Sequence, residues 1–214
     1  MHSRELESKK SSLRLTRLQR EVLVGIILGD AHLETRNNGR TYRVKFEYSA
    51  KQCEYVEHLY EIFKEWVLTS PQEKIDATHK NLWFQTISHA AFRFYAHQFY
   101  DGRKKCVPKN IHRFLTKRNI AYWFMDDGSI KSRESKGVIF NTQGFEKNGV
   151  ENLVKILNSK FGLKASIRKQ SDGWQIYISG VSYEKFREAI DPYILDSMRY
   201  KIPKDRSKNI MPKE

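Results

Sequence analysis

Two short runs in this chain follow one plan: Leu23-Val24-Gly25-Ile26-Ile27-Leu28-Gly29-Asp30-Ala31 and Ile120-Ala121-Tyr122-Trp123-Phe124-Met125-Asp126-Asp127-Gly128. Each reads as an apolar helix closing on a carboxylate and a small residue, and the acids Asp30 and Asp127 lie 97 positions apart. A helix C-terminus already carries partial negative charge, so an acid there is mildly repelled. If the two helices pack side by side, the acids meet at one end, and at ~4 Å they repel by roughly 4 kcal/mol at an effective dielectric near 20. A cation between them reverses the sign of that interaction. The duplication therefore predicts a paired architecture with a cation-seeking centre.

Other blocks recur in the same order. Phe46 through Leu59 matches Phe140 through Leu153 at an offset of 94, including Val56/Val150 and Glu57/Glu151. Trp83 through Ser88 matches Trp174 through Ser179 at an offset of 91, followed by Phe92/Tyr183, and Lys105-Cys106-Val107-Pro108 echoes Lys201-Ile202-Pro203 at an offset near 96. Ordered recurrence of four blocks points to a fused pseudo-dimer.

The elements follow from patterning. Thr16-Arg17-Leu18-Gln19 is a capping-box start for a helix running to about Gly29. Residues 41–49 alternate, with Tyr42, Val44, Phe46 and Tyr48 on one face and Thr41, Arg43, Lys45, Glu47 and Ser49 on the other, which is a half-buried strand. The Asn37-Asn38-Gly39 turn allows the preceding stretch to pair with it. A helix over 52–66, a hairpin over 74–88 turning near His79-Lys80-Asn81, and a helix over 89–100 complete the first half. The second repeats it: helix 116–126, strand 136–143, helix 148–161, a hairpin turning at Ser171-Asp172-Gly173, and helix 182–190. The expected fold is α+β, a pseudo-twofold tandem repeat of helix-strand-strand-helix-strand-strand-helix halves. Each half places helices on one face of an antiparallel sheet. The expected divisions are a mobile basic arm over 1–17, a first half over 18–108 and a second over 109–214, with Gly102 to Arg113 as the junction.

The net charge of +14, from 39 Lys and Arg against 25 Asp and Glu, favours a polyanionic partner, most simply nucleic acid. No apolar run approaches the ~20 residues that span a bilayer, so no membrane role is expected. Cys53 and Cys106 form no CxxC or Cys/His cluster, which points to a reducing compartment and away from zinc or a disulfide scaffold. The amino end has no signal-peptide core. On the sheet faces turned from the helices, Arg43, Lys45, Glu47, Arg168, Gln170, Gln175 and Tyr177 are residue types that read base edges or phosphates. A solvated sheet face explains any one of them equally well. The set, on so basic a chain, favours DNA.

Runs 23–31 and 120–128 resemble the two signature motifs of LAGLIDADG homing endonucleases, of the single-chain, two-motif, intron-encoded organellar type. The resemblance covers the chain from about Leu18 to Pro203. It implies that the motif helices pack at the interface of the two halves, forming a DNA-binding saddle, and that Asp30 and Asp127 bind divalent metal. Gly25 and Gly29 fit such packing independently, since small residues four apart let helices approach closely. Tyr122 and Asp126 stand at the equivalent positions of the second helix, so its packing is expected to be looser or offset. Asp126 is left as a spare ligand, a helix-end residue without metal, or a salt-bridge partner. Leu28 and Met125 replace a further acid of the family pattern.

The resemblance further implies that the Gly29 and Asp126 carbonyls complete the metal shell. Two or more magnesium ions, with manganese tolerated, suit carboxylates, waters and phosphate oxygens. Lys105 and Lys201 are similar to basic residues that flank such active sites, where a fixed ammonium stabilises developing charge. Gln143 is a candidate for ordering water. The implied activity is hydrolysis of both strands of a long, non-palindromic duplex by a monomer that needs no protein partner. The expected setting is an organelle (mitochondrion or chloroplast) that encodes it, or bacterial cytoplasm. Two alternatives bear on this reading. Phe124-Met125-Asp126-Asp127 also resembles the paired-Asp motif of reverse transcriptases, but that leaves Asp30 and the repeat unexplained. A non-catalytic nucleic-acid binder, such as an intron-splicing maturase, is the stronger rival.

Overall fold

The computed structural model describes residues 3–75, 78–132 and 134–203. A helix α1 (Ser3–Ser12) precedes the first half, which runs α2 (Arg17–Leu28), β1 (His32–Glu34), β2 (Arg43–Ser49), α3 (Cys53–Phe63), β3 (Gln72–Ile75), β4 (Lys80–Gln85), α4 (Arg93–Phe99). A small ribbon, β5 (Tyr100–Asp101) and β6 (Lys104–Lys105), leads to the second half. That half runs α5 (Lys117–Asp127), β7 (Gly128–Ile130), β8 (Val138–Phe140), α6 (Lys147–Phe161), β9 (Ala165–Gln170), β10 (Gly173–Ile178), α7 (Tyr183–Ile190). The four-stranded sheets have the same antiparallel topology, β1-β2-β4-β3 and β7-β8-β10-β9. The tandem α+β repeat is therefore real at the level of strand order.

Two capping boxes start the motif helices. Thr16 and Gln19 exchange hydrogen bonds at the head of α2, and Thr116 and Asn119 do the same at the head of α5. Each box satisfies donors that the first helical turn leaves orphaned. The box side chains also tie inward: Gln19 donates to the Ile62 carbonyl, and Asn119 to the Phe114 carbonyl. From Val22 to Leu28 and from Asn119 to Asp126 every residue is buried, so the two helices form the spine of one continuous core.

That spine is tighter than the sequence suggests. A Cβ on Gly25 would lie 2.5 Å from the Asn119 carbonyl oxygen and 2.8 Å from the Tyr122 Cβ, and one on Gly29 would lie 2.4 Å from the Asp126 Cβ. The larger residues of α5 are thus knobs seated on the bare glycines of α2, and the expected looser or offset packing is not seen. Tyr122 is fixed there by a 2.6 Å hydrogen bond to His58 Nε2.

Two further expectations change. The arm expected to be mobile is helical: Leu6 of α1 packs on the core, Leu13 and Leu15 behind it are buried, and the Lys10 carbonyl contacts His89 Nε2 at 3.0 Å. The Trp83/Trp174 match is a one-residue slip. Phe46 opposes Phe84 and Phe140 opposes Ile176, which sets the true offset between β4 and β10 at 92. Successive strand residues face opposite ways, so a slip of one exchanges faces. Trp83 opposes Glu47 on the open face, whereas Trp174 packs against the core. The last residues of the second division, 204–214, lie outside the described residues, as do 1–2 of the arm.

Candidate active site at the paired helix ends

Because α2 and α5 pack along their length, their C-terminal ends come together. Asp127 is the last residue of α5, and Asp30 follows one residue beyond α2, after Gly29. The two carboxylates are close enough that the charge of Asp30 helps push the Asp127 carboxyl up to about 7, second only to burial. Burial raises Asp30 as well, against the pull of Lys201 and Lys105. Asp30 nevertheless has an exposed surface and Asp127 a partly exposed one. Crowding on most sides and access from one side together describe groups at the base of an open cleft. The exposure decides that a ligand can reach them; the crowding decides the direction of the shift.

Two lysines complete the centre. Lys105 Nζ donates to the Gly29 carbonyl at 2.6 Å, and Lys201 Nζ donates to the Met125 and Asp126 carbonyls at 2.5 and 2.6 Å. Each lysine thus holds the terminal carbonyls of the motif helix in its own half, a favourable placement for a cation at a helix C-terminus. Burial lowers both lysines, while the charges of Asp30, Asp126 and Asp127 work against that shift. The carbonyls expected to face a metal are therefore shared with ammonium groups, and each oxygen keeps a second lone pair.

Asp126 does something the sequence does not show. The residue is 8% exposed, and its side chain is turned onto Tyr55 and Tyr48 of the first half. Oδ1 accepts from the Tyr55 hydroxyl at 2.7 Å; Oδ2 accepts from the Asp30 backbone N–H at 3.0 Å and, at 3.4 Å, from the Tyr48 hydroxyl. It is neither a free ligand nor a salt-bridge partner. Burial and the Asp30 charge raise its carboxyl well above the usual range, opposed by the Tyr55 and backbone hydrogen bonds. Beneath Asp127, the buried indole N–H of Trp123 draws its carboxyl down slightly without reaching hydrogen-bond geometry.

A divalent cation suits this donor set. Asp30 and Asp127 are hard oxygen donors whose mutual repulsion it would relieve, and both are open to the cleft. Among the described residues no group of three or more His, Cys, Asp or Glu side chains is placed to hold an ion, so the protein would supply two carboxylates and leave other positions to carbonyls, water or a ligand.

The open sheet faces flank the acids with an uneven set of readers. Arg43, Lys45 and Glu47 share the open face of β2 as expected, but they are already paired: Arg43 with Glu34 at 2.7 Å, and Glu47 with Lys45 at 3.0 Å and Lys74 at 2.7 Å. Those partners hold the Glu47 carboxyl down at about 2. On the second sheet the Arg168 guanidinium lies 3.5 Å over the Tyr177 ring, and Gln170 is exposed. Gln175 is the exception: it is buried, and its amide donates to Asn141 at 2.9 Å, so it is not presented to a ligand. The Gln143 backbone packs against Gly173 of the hairpin turn. Asn141 donates from both its backbone N–H and its side chain to the Asp127 carbonyl, each at 3.0 Å. The repeat pairs Asn141 with Glu47, a signal that could have found it.

The family model described as the LAGLIDADG DNA endonuclease family matches residues 20–186. This chain belongs to that family. A relative named probable intron-encoded endonuclease 1, from Wickerhamomyces canadensis, is 35% identical over 204 residues, spanning 91% of this chain and 87% of that protein. The solved structure of the homing endonuclease I-WcaI bound to its DNA recognition sequence is 32% identical, with a TM-score of 0.87 over 94% of this chain and 92% of that one. A relative named cytochrome b mRNA maturase bI2, from Saccharomyces cerevisiae, is 26% identical and matches 85% of this chain but 46% of its own length.

Proposed function

We propose that this protein is a site-specific, divalent-metal-dependent DNA endonuclease of the intron-homing kind, acting as a monomer encoded in an organelle. The single observation that carries the reading is the meeting of Asp30 and Asp127 at one end of a glycine-seated helix pair, with Lys105 and Lys201 on the adjoining helix-end carbonyls. Magnesium, held by Asp30 and Asp127 with the Gly29 and Asp126 carbonyls in support, would supply an activated water and offset the charge of a phosphodiester in transition.

The chain's own residues do the rest. Lys105 and Lys201 place fixed ammonium groups beside the position a backbone phosphate would take, where a preorganised donor is worth about 3–4 kcal/mol. Arg168 stacked on Tyr177, with Gln170 beside it, offers the second sheet's readers to a major groove. Arg43, Lys45 and Glu47 do so from the first, after exchanging their present partners. Two diverged halves, divided near 108, read the two halves of a non-palindromic target. The resemblance to a yeast maturase keeps RNA binding as the second reading.

The test is selection from randomised duplex DNA in magnesium and in calcium, with structured intron RNA as a competitor. A unique cut site in magnesium, and bound, intact DNA at the same site in calcium, are expected. Salt-sensitive binding that prefers RNA and never cuts DNA would replace this reading with the maturase one.

A further inference from the structure

We infer that Asp126 is a positioning residue serving only one of the two acids, Asp30, so that the two halves of the centre are held unequally. The inference rests on the endonuclease reading and deepens it. Asp127 sits inside α5, where the helical ladder holds its backbone, and Asn141 secures its carbonyl with two hydrogen bonds. Asp30 lies past the end of α2 and has no ladder; its N–H donates instead to Asp126 Oδ2 at 3.0 Å, across the boundary between the halves. The Asp126 carboxylate is itself fixed by two hydroxyls of the first half, Tyr55 from α3 at 2.7 Å and Tyr48 from β2 at 3.4 Å. All three partners are donors, and the carboxylate accepts from each, which specifies one orientation.

Among the described residues no reciprocal hydrogen bond reaches Asp127 from α2. The position equivalent to Asp126 on α2 is Gly29, whose missing Cβ is what lets the Asp126 side chain through. The Asp126 side chain is buried, and its hydrogen bonds go to the Asp30 N–H and to the Tyr55 and Tyr48 hydroxyls. Apart from the residue's carbonyl, which Lys201 holds, and its charge, which both lysines feel, its hold on the acids passes through the Asp30 backbone, where a displacement of about 1 Å is enough to cost on the order of 100-fold in rate. If Asp30 and Asp127 each serve one strand, loosening this clamp slows the two strands by different factors.

Asp126→Asn and Tyr55→Phe decide the matter by two measurements. Backbone amide exchange is read residue by residue on the metal-free protein. In Asp126→Asn the Asp30 amide is expected to exchange at least ~10-fold faster, with Asp127 within ~3-fold of the wild type. On a duplex that the wild type cuts, each strand is end-labelled and followed under saturating enzyme. One strand is expected to slow at least ~10-fold more than the other in Asp126→Asn, and Tyr55→Phe is expected to skew the same strand by less. Unchanged protection at Asp30, or equal slowing of both strands, would overturn the inference. Should Asp126→Asn not fold, Tyr55→Phe and Tyr48→Phe each remove one donor and carry both readouts. A wild type that cuts no duplex would count against the endonuclease reading, and the exchange measurement would still decide the clamp.

Discussion

At the scale of single residues, the centre stores repulsion that binding can release. Gly29→Ala would press a methyl into the Asp126 carboxylate, whose Oδ2 would lie 2.3 Å away, and the acid is pinned by Tyr55 and Tyr48 and so cannot swing aside. Overpacking of this kind costs about 1–3 kcal/mol, and a denaturant titration is expected to show a loss in that range with an unchanged slope. Asp127 makes a second prediction. Its carboxyl is raised to about 7 from an ordinary value of 3.8, so the folded protein holds a proton that the unfolded chain has released between those values. The metal-free protein should therefore lose stability as pH rises from about 4 through 7. Melting curves across that range should slope downward, and Asp127→Asn or added calcium should flatten them. A curve indifferent to both would contradict the buried pairing.

At the scale of elements, period-2 and helical patterning located the two sheets and their helices, because one buried face per element is enough to declare it. What escaped depended on neighbours. α1 offers only Leu6 before the buried pair Leu13 and Leu15, too little apolar pattern to announce a docked helix. Gln175 alternates correctly for an open face, yet Asn141 claims its amide. The Trp83/Trp174 slip shows that side-chain likeness can outvote register. Their alanine variants separate the two faces. Trp174→Ala should cost roughly 2–3 kcal/mol, below the ~3–5 of a fully buried indole. Trp83→Ala should leave stability within about 0.5 kcal/mol and weaken duplex binding. Thermal denaturation and a binding titration on the same pair of variants check both.

At the scale of the whole molecule, duplication brought the acids together and divergence divided their support. The sequence announces Asp30 and Asp127 as equals; the packing does not treat them so, because a glycine faces an aspartate across the pseudo-twofold. Which way Asp126 turns follows from Tyr48 and Tyr55, residues of the other half that no local pattern links to it. A net charge of +14 adds a sequence-independent term, and binding should weaken with a log-log salt slope of about −0.9 per neutralised phosphate. Arg168→Ala should make that slope shallower by about one if the guanidinium meets a phosphate. The most direct measurement is double-strand cleavage of the selected target in magnesium by Asp30→Asn and Asp127→Asn, with folding and calcium-supported binding checked on the same preparations. Each variant should bind its site and fail to make the double-strand cut. Double-strand cutting retained by both would mean that the paired helix ends are not where phosphodiester hydrolysis takes place.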